Sequence, residues 1–139
     1  MAPTTPYSPH LEGRDPLAVM RETIPALAQA VAGWTPEQFE RPVAPGKWTI
    51  KQILTHLAQT EMALGTRARM ALTRSAFTAQ SFDQDGWLAR EHTMSGVDAV
   101  QAFVVHQKLV AFLARGAGKR IDAGSQALRQ LIGKEPEAL

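Results

Sequence analysis

Residues 45–61 read PGKWTIKQILTHLAQTE, and they combine a Pro-Gly turn, a helix start and one histidine. Thr49 followed three residues later by Gln52 fits a capping box, in which each side chain bonds the backbone N–H of the other residue. Apolar residues at helical spacing follow, which predicts a helix from Thr49 to about Arg74. The residues of this apolar stripe are Ile50, Ile53, Leu54, Leu57, Leu64, Ala68 and Leu72.

Helix signals also precede this stretch. Asp15 followed by Pro16 is typical of a helix N-terminus, and the apolar spacing predicts a first helix over residues 15–33 with a kink at Pro25. Residues 35–38 read TPEQ and predict one short helical turn. We interpret three aromatic residues of this region as packing anchors at one end of a helical bundle rather than as stacking platforms for bases. They are Trp34, Phe39 and Trp48.

The second half of the chain predicts further helices. Residues 75–94 have a mixed pattern that indicates a loop leading into a short helix. Ser95, with Asp98 three residues on, opens a helix that runs to the glycine pair at 116–118. Its apolar residues cover most of the circumference, which indicates a central bundle position or a subunit interface. A short last helix is expected over residues 122–132. The fold class is therefore all-α, a small helical bundle.

Composition limits the class of protein. A chain of 139 residues with 45% hydrophobic and 20% charged residues suits one globular domain. We expect an extended lead-in over residues 1–14, a domain over 15–132 and a tail over 133–139. The apolar runs are shorter than a membrane span of about 20 residues, and no signal peptide is recognised. We therefore expect a cytoplasmic protein with no membrane partner.

Cysteine and charge exclude several functions. The chain has no cysteine, so disulfides, thiolate zinc sites and cysteine nucleophiles are excluded. A formal net charge of +2 is too even a balance to favour a nucleic-acid partner. A DNA-binding interpretation of the basic residues Arg67, Arg69 and Arg74 is weaker than that of a solvated helix face.

His56 and Glu61 are the candidate functional residues of the predicted second helix. At 100° per residue, His56 falls at the margin of the apolar stripe and Glu61 close to its centre. A buried carboxylate requires a partner. Glu61 is either paired with an arginine from a neighbouring helix or serves as a ligand or general base in a polar pocket. His106 lies opposite the strongest part of its own helix's stripe and is expected to be partly exposed.

The motif GKWTI at residues 46–50, followed by His56-Leu57 and Glu61, resembles the entry to the second helix of the DinB-like superfamily. The proline in the first helix and the pattern Phe82-Asp83 with Trp87 are similar to that family too. The resemblance covers residues 15–132 and implies a four-helix bundle, commonly dimeric. The common dimeric state implies a homodimer. The superfamily includes thiol-dependent S-transferases and isomerases, so the resemblance also implies a small-molecule ligand.

The resemblance further implies a metal site. In metal-binding members, a histidine at the position of His56 joins two histidines spaced four apart on the last long helix to bind zinc or nickel. Here no histidine follows His106, and Gly133 and Pro136 interrupt the last helix. The first expectation is a dimeric DinB-like bundle with a shortened last helix and a degenerate or absent metal site. The alternative is a metal-dependent transferase or hydrolase with His56 as metal ligand and Glu61 as catalytic base, so the sequence leaves enzymatic activity open.

Overall fold

The computed structural model describes residues 8–117. Apart from an isolated bridge between Pro42 and Thr49, the regular structure in this range is helical, which confirms the predicted all-α class. The predicted last helix over residues 122–132 and the tail lie outside the described residues. The helices are α1 (Ser8–Leu11), α2 (Pro16–Ala30), α3 (Pro36–Phe39), α4 (Ile50–Thr73), α5 (Gln84–Arg90) and α6 (Gly96–Ala117).

The first predicted helix, α2, begins where the sequence indicates. The carboxylate of Asp15 accepts hydrogen bonds from the backbone N–H groups of Leu17 (3.4 Å) and Ala18 (3.0 Å), and Pro16 occupies the first helical position. Proline is tolerated there because that position has no helical partner for its N–H. Pro25 lies inside the helix. The helix ends at Ala30, three residues before the predicted end at Gly33.

Residues 8–14 of the expected lead-in lie within the described range. Residues 8–11 form one helical turn. Pro9 lies in this turn, where the backbone geometry of proline is tolerated. Glu12 and Gly13 then take left-handed conformations, with φ of 51° and 77°, and end the turn. The domain boundary at residue 15 stays a prediction.

A backbone strap fixes the start of α4. The N–H of Ile50 donates to the carbonyl of Arg41 (3.0 Å), and the N–H of Val43 donates to that of Trp48 (3.2 Å). Thr49 and Gln52 form the predicted capping box: Gln52 N–H donates to Thr49 Oγ1 (3.2 Å), and Thr49 N–H donates to Gln52 Oε1 (2.8 Å). The bond of Ile50 to Arg41 and the capping box of Thr49 and Gln52 together fix the residue at which α4 begins.

The two long helices α4 and α6 pack side by side and run in the same direction. Leu54 and Ala99 lie in one buried cluster near their N-termini. Further along, a Cβ added to Gly65 would lie 3.0 Å from the side chain of Val110. In each pair the two residues are 45 positions apart in the sequence, so the two helices keep one register. Parallel neighbours require a chain segment that returns to the starting end, and residues 74–95, which contain α5, do this.

The core lies where α2, α3, α4 and α6 meet. Phe39 is buried at 2% exposure beside Leu54 and Ala99. Trp34 packs on it, with ring centroids 5.4 Å apart, as predicted for a packing anchor. Ser95 caps α6, because its Oγ accepts from the N–H of Asp98 at 3.1 Å.

The apolar circumference of α6 is divided between core and surface. Ala99 and Phe103 are buried, whereas another set of its apolar side chains is exposed by 47% to 63%. By length and composition alone, Gly96–Ala114 could cross a membrane, a property shared by core helices of soluble proteins. The exposed set is Val97, Val105, Leu109 and Phe112.

Gly96 is required by its contact with Phe39. A Cβ at position 96 would lie 2.2 Å from Phe39 Cγ. Replacing glycine by alanine in a helix ordinarily stabilises it. Here we expect Gly96→Ala to lower the free energy of unfolding by about 1–3 kcal/mol through overpacking, measured by urea denaturation. Val97→Ala at the exposed neighbouring position should change it by less than about 0.5 kcal/mol. A Gly96→Ala protein as stable as the parent would contradict the overpacking.

Candidate functional site

His56 lies in the second turn of α4 within an aromatic cluster, which we define as Trp48, His56, Phe82 and Trp87. The imidazole meets Trp48 edge to face, with ring centroids 5.2 Å apart, and lies roughly parallel to Phe82 at 6.2 Å. Trp87 contacts Phe82 at 4.9 Å. His56 is thus held on two sides by larger rings.

Three separate segments build the aromatic cluster. The strap places Trp48 just before the cap of α4. Phe82 precedes Asp83, whose carboxylate caps α5 by accepting from the N–H of Gly86 at 3.0 Å. Arg67 stacks over Phe82, 5.9 Å from its centroid, and donates to the carbonyl of Gln80. This arginine therefore ties the returning loop to α4.

The two imidazole nitrogens of His56 have different surroundings. Nε2 lies 3.4 Å from Thr60 Oγ1, one helical turn further on. Nδ1 is enclosed and has no hydrogen-bond partner among residues 8–117. A buried polar atom without a partner costs about 1–3 kcal/mol, so Nδ1 is the atom that a ligand would satisfy.

Glu61 lies in different surroundings from His56. It lines a cavity of about 270 Å³ between α4 and α6, opposite His106 and beside Arg69. Burial raises the pKa of Glu61 above its ordinary value. The arginine beside it belongs to α4 itself, and no ion pair found within the described range involves Glu61. The other lining residues are Met62, Thr66, Leu109 and Val110.

The remaining histidines are not gathered around His56. His92 is exposed, and its Nδ1–H donates to the carbonyl of Ala89 at 2.9 Å. His10 is exposed in α1, and His106 faces the Glu61 cavity. Over residues 8–117, no group of three His, Cys, Asp or Glu side chains could hold a metal ion. Within this part of the chain, His56 therefore does not belong to a set of three metal ligands.

Sequence reasoning missed Gln59. It is 1% exposed, and its Nε2 donates to Glu91 Oε2 at 3.0 Å, which joins α4 to the end of α5. Its Oε1 has no partner within the described range. The one available signal was its spacing of four from Thr55, the other buried polar residue of α4.

A second cavity was also missed. It has a volume of about 380 Å³, includes Trp48 in its lining and lies between the first turns of α4 and helix α5. Its lining includes the Glu40–Lys51 ion pair together with Asp85, Glu91 and His92. No sequence motif marks it, because its residues come from three separate segments of the chain.

Comparisons with known proteins agree on one family. A family profile described as the DinB superfamily matches residues 20–132. The names of similar proteins begin with "Putative metal-dependent hydrolase". The one from Geobacillus thermodenitrificans is 35% identical over 71 residues, which are 51% of this chain and 40% of the relative. YfiT of Bacillus subtilis is 32% identical over 77 residues, 55% of this chain and 43% of the relative.

The third relative, OB0413 of Oceanobacillus iheyensis, is 28% identical over 98 residues, 69% of this chain and 57% of the relative. The chain thus spans about half the length of the curated relatives it matches. No solved structure matches it significantly.

The half-buried position of Glu61 predicts a pH dependence of stability. Because burial raises its folded-state pKa, its contribution to stability is complete in acid and is lost as the pH rises through the folded pKa. We expect Glu61→Gln to become progressively more stable than the parent as the pH rises above 4.5, the ordinary value, in urea titrations.

Glu37 supplies a contrast of opposite sign. A hydrogen bond from the Thr35 side chain lowers the pKa of this exposed carboxyl, so its contribution is present above pH 4.5 and is lost as the pH falls. Glu37→Gln should therefore lose stability relative to the parent above that pH. If the free energies of unfolding of the parent and of Glu61→Gln changed with pH in the same way, Glu61 would be solvated in the folded protein.

Proposed function

The chain belongs to the DinB superfamily, and on that basis we propose that it acts as a metal-dependent hydrolase in which His56 is one ligand of a divalent ion. The observation that carries this proposal is the enclosed Nδ1 of His56, which has no partner among the described residues. Neutral imidazole nitrogen is a common ligand of zinc and nickel. The names of the relatives from Geobacillus and Bacillus support a reaction of this class.

The donor set limits the proposal. His56 fits such an ion, but residues 8–117 supply no group of three ligands around it. At least one further ligand must therefore come from outside that range or from a second copy of the chain. Residues 118–139 contain the carboxylates of Asp122, Glu135 and Glu137 and no histidine. A divalent ion held at His56 would supply Lewis-acid activation of water.

The chain's own residues would prepare the site by excluding water and holding the imidazole. Trp48 and Phe82 confine the ring of His56 from two directions. The Arg67 guanidinium over Phe82 keeps that ring in place. Restricting the ring lowers the entropy that is lost when a ligand binds its nitrogen.

A second candidate is a non-catalytic, dimeric binding protein. The exposed apolar side chains of α6 favour it: Val105, Leu109 and Phe112 recur at spacings of four and three, the spacing of a helix packing surface. In a symmetric dimer, the same stripe of both copies would meet across the axis. We propose this assembly for either function, since it requires no metal.

Metal titration of the purified protein tests the first candidate. We expect one zinc or nickel ion to bind, with affinity at least about 10-fold lower in His56→Ala. The control is His92→Ala, which removes an exposed imidazole and should bind like the parent. Equal affinity in the parent and His56→Ala would remove His56 as a ligand and with it the hydrolase proposal.

Light scattering tests the dimer. We expect a mass of twice the 15.2 kDa of one chain at micromolar concentration. Val105→Glu should shift the protein to monomer, because two charges would be desolvated at the interface. Gln29→Glu, at an exposed position of α2, should leave the mass unchanged. A monomeric parent protein would refute this assembly.

A further inference from the structure

The hydroxyl of Thr60 is bonded differently from two other helical threonines of this chain. Thr23 Oγ1 donates to the carbonyl of Val19 and Thr73 Oγ1 to that of Arg69, each at 2.8 Å and each one turn back. This is the usual bond of a helical threonine. The Thr60 hydroxyl instead lies 3.4 Å from His56 Nε2. Its rotamer therefore directs the oxygen to the imidazole rather than to the backbone.

Two proton arrangements satisfy this contact. If the hydroxyl donates to a bare Nε2, the ring proton of neutral His56 must be on Nδ1. If Nε2–H donates to the hydroxyl oxygen, Nδ1 carries no proton. Nδ1 is enclosed without a partner in residues 8–117. Buried N–H groups without an acceptor are rarer in proteins than acceptors without a donor, so the second arrangement is favoured.

The orientation of the ring follows from the same bond. A half-turn of the imidazole about its Cβ–Cγ bond would keep its plane between Trp48 and Phe82, so these rings alone do not select an orientation. The half-turn would place Cε1, which forms no comparable hydrogen bond, opposite Thr60 Oγ1. The two orientations therefore differ in whether the ring forms a hydrogen bond with Thr60, and that bond favours the observed one.

We propose that Thr60 is a positioning residue that accepts the Nε2–H of His56 and so makes Nδ1 the unprotonated nitrogen. Metal-bound histidines commonly donate their other N–H to a neighbouring acceptor, which fixes tautomer and orientation. The consequence for metal binding rests on the proposed function. The tautomer itself is a property of the metal-free protein and can be measured without any ligand.

Nitrogen-15 NMR of the imidazoles in the metal-free protein, at a pH where His56 is neutral, tests the tautomer. We expect the proton on Nε2 in the parent protein. Thr60→Val keeps the shape of the side chain but removes the acceptor and should give a mixture of tautomers, whereas Thr60→Ser should restore the single form. Thr73→Val, which removes a hydroxyl bonded to the backbone, is the matched control and should leave His56 unchanged.

Zinc titration of the same proteins measures a second quantity, the metal affinity of each variant. Loss of such an acceptor typically lowers metal affinity about 10- to 100-fold, so Thr60→Val should show this loss and Thr60→Ser should not. A proton on Nδ1 in the parent, or a single unchanged tautomer in Thr60→Val, would overturn the inference. If the tautomer is as expected but no variant binds zinc, Thr60 keeps its positioning role and the hydrolase proposal fails instead.

Discussion

The backbone strap between residues 41–43 and 48–50 sets the starting point of α4, and the register of the bundle depends on that point. The hydrogen bonds of Ile50 to Arg41 and of Val43 to Trp48 close the turn, and Gly46 takes the left-handed φ of 72° that the turn requires. With its first residue held, α4 places Leu54 in the core. The same register places His56 beside Trp48.

The parallel arrangement of α4 and α6 explains why the aromatic cluster forms at that end. A chain that leaves the far end of α4 must return before α6 can begin beside it. Residues 74–95 make this return, and they bring Phe82 and Trp87 back to the level of His56. The bond between Gln59 and Glu91 joins the end of this segment to α4. The candidate site is thus a consequence of the connection as much as of the helix that carries the histidine.

The features predictable from sequence were those set by short-range bonds. The helix starts at Asp15, Thr49 and Ser95 all depend on a side chain that bonds a backbone N–H within three residues, and each prediction is confirmed. The turn at Ser8–Leu11 was not predicted, because four residues show no periodicity; the short turn at residues 35–38 was predicted from its helix-start residues instead. The family resemblance read from residues 46–61 is confirmed by the profile match over residues 20–132.

The surroundings of the functional residues were less predictable, because they depend on which residues of distant segments lie at one level. Helix geometry placed Glu61 near the apolar stripe but could not show that His106 faces the same cavity. That pairing follows from the 45-residue register between α4 and α6, which Leu54 with Ala99 and Gly65 with Val110 establish. Likewise, no pattern within α4 could indicate that Phe82 covers His56.

This register bears on the catalytic role predicted for Glu61. Five residues along a helix turn a side chain by about 140°, so His56 and Glu61 point to different sides of α4. Glu61 instead shares a cavity with His106, Thr66 and Arg69, and burial there raises its pKa above the ordinary value. We therefore expect any acid or base role of Glu61 to be exerted with His106 in that cavity. A base acting beside His56 would then have to come from another part of the chain or from a second copy.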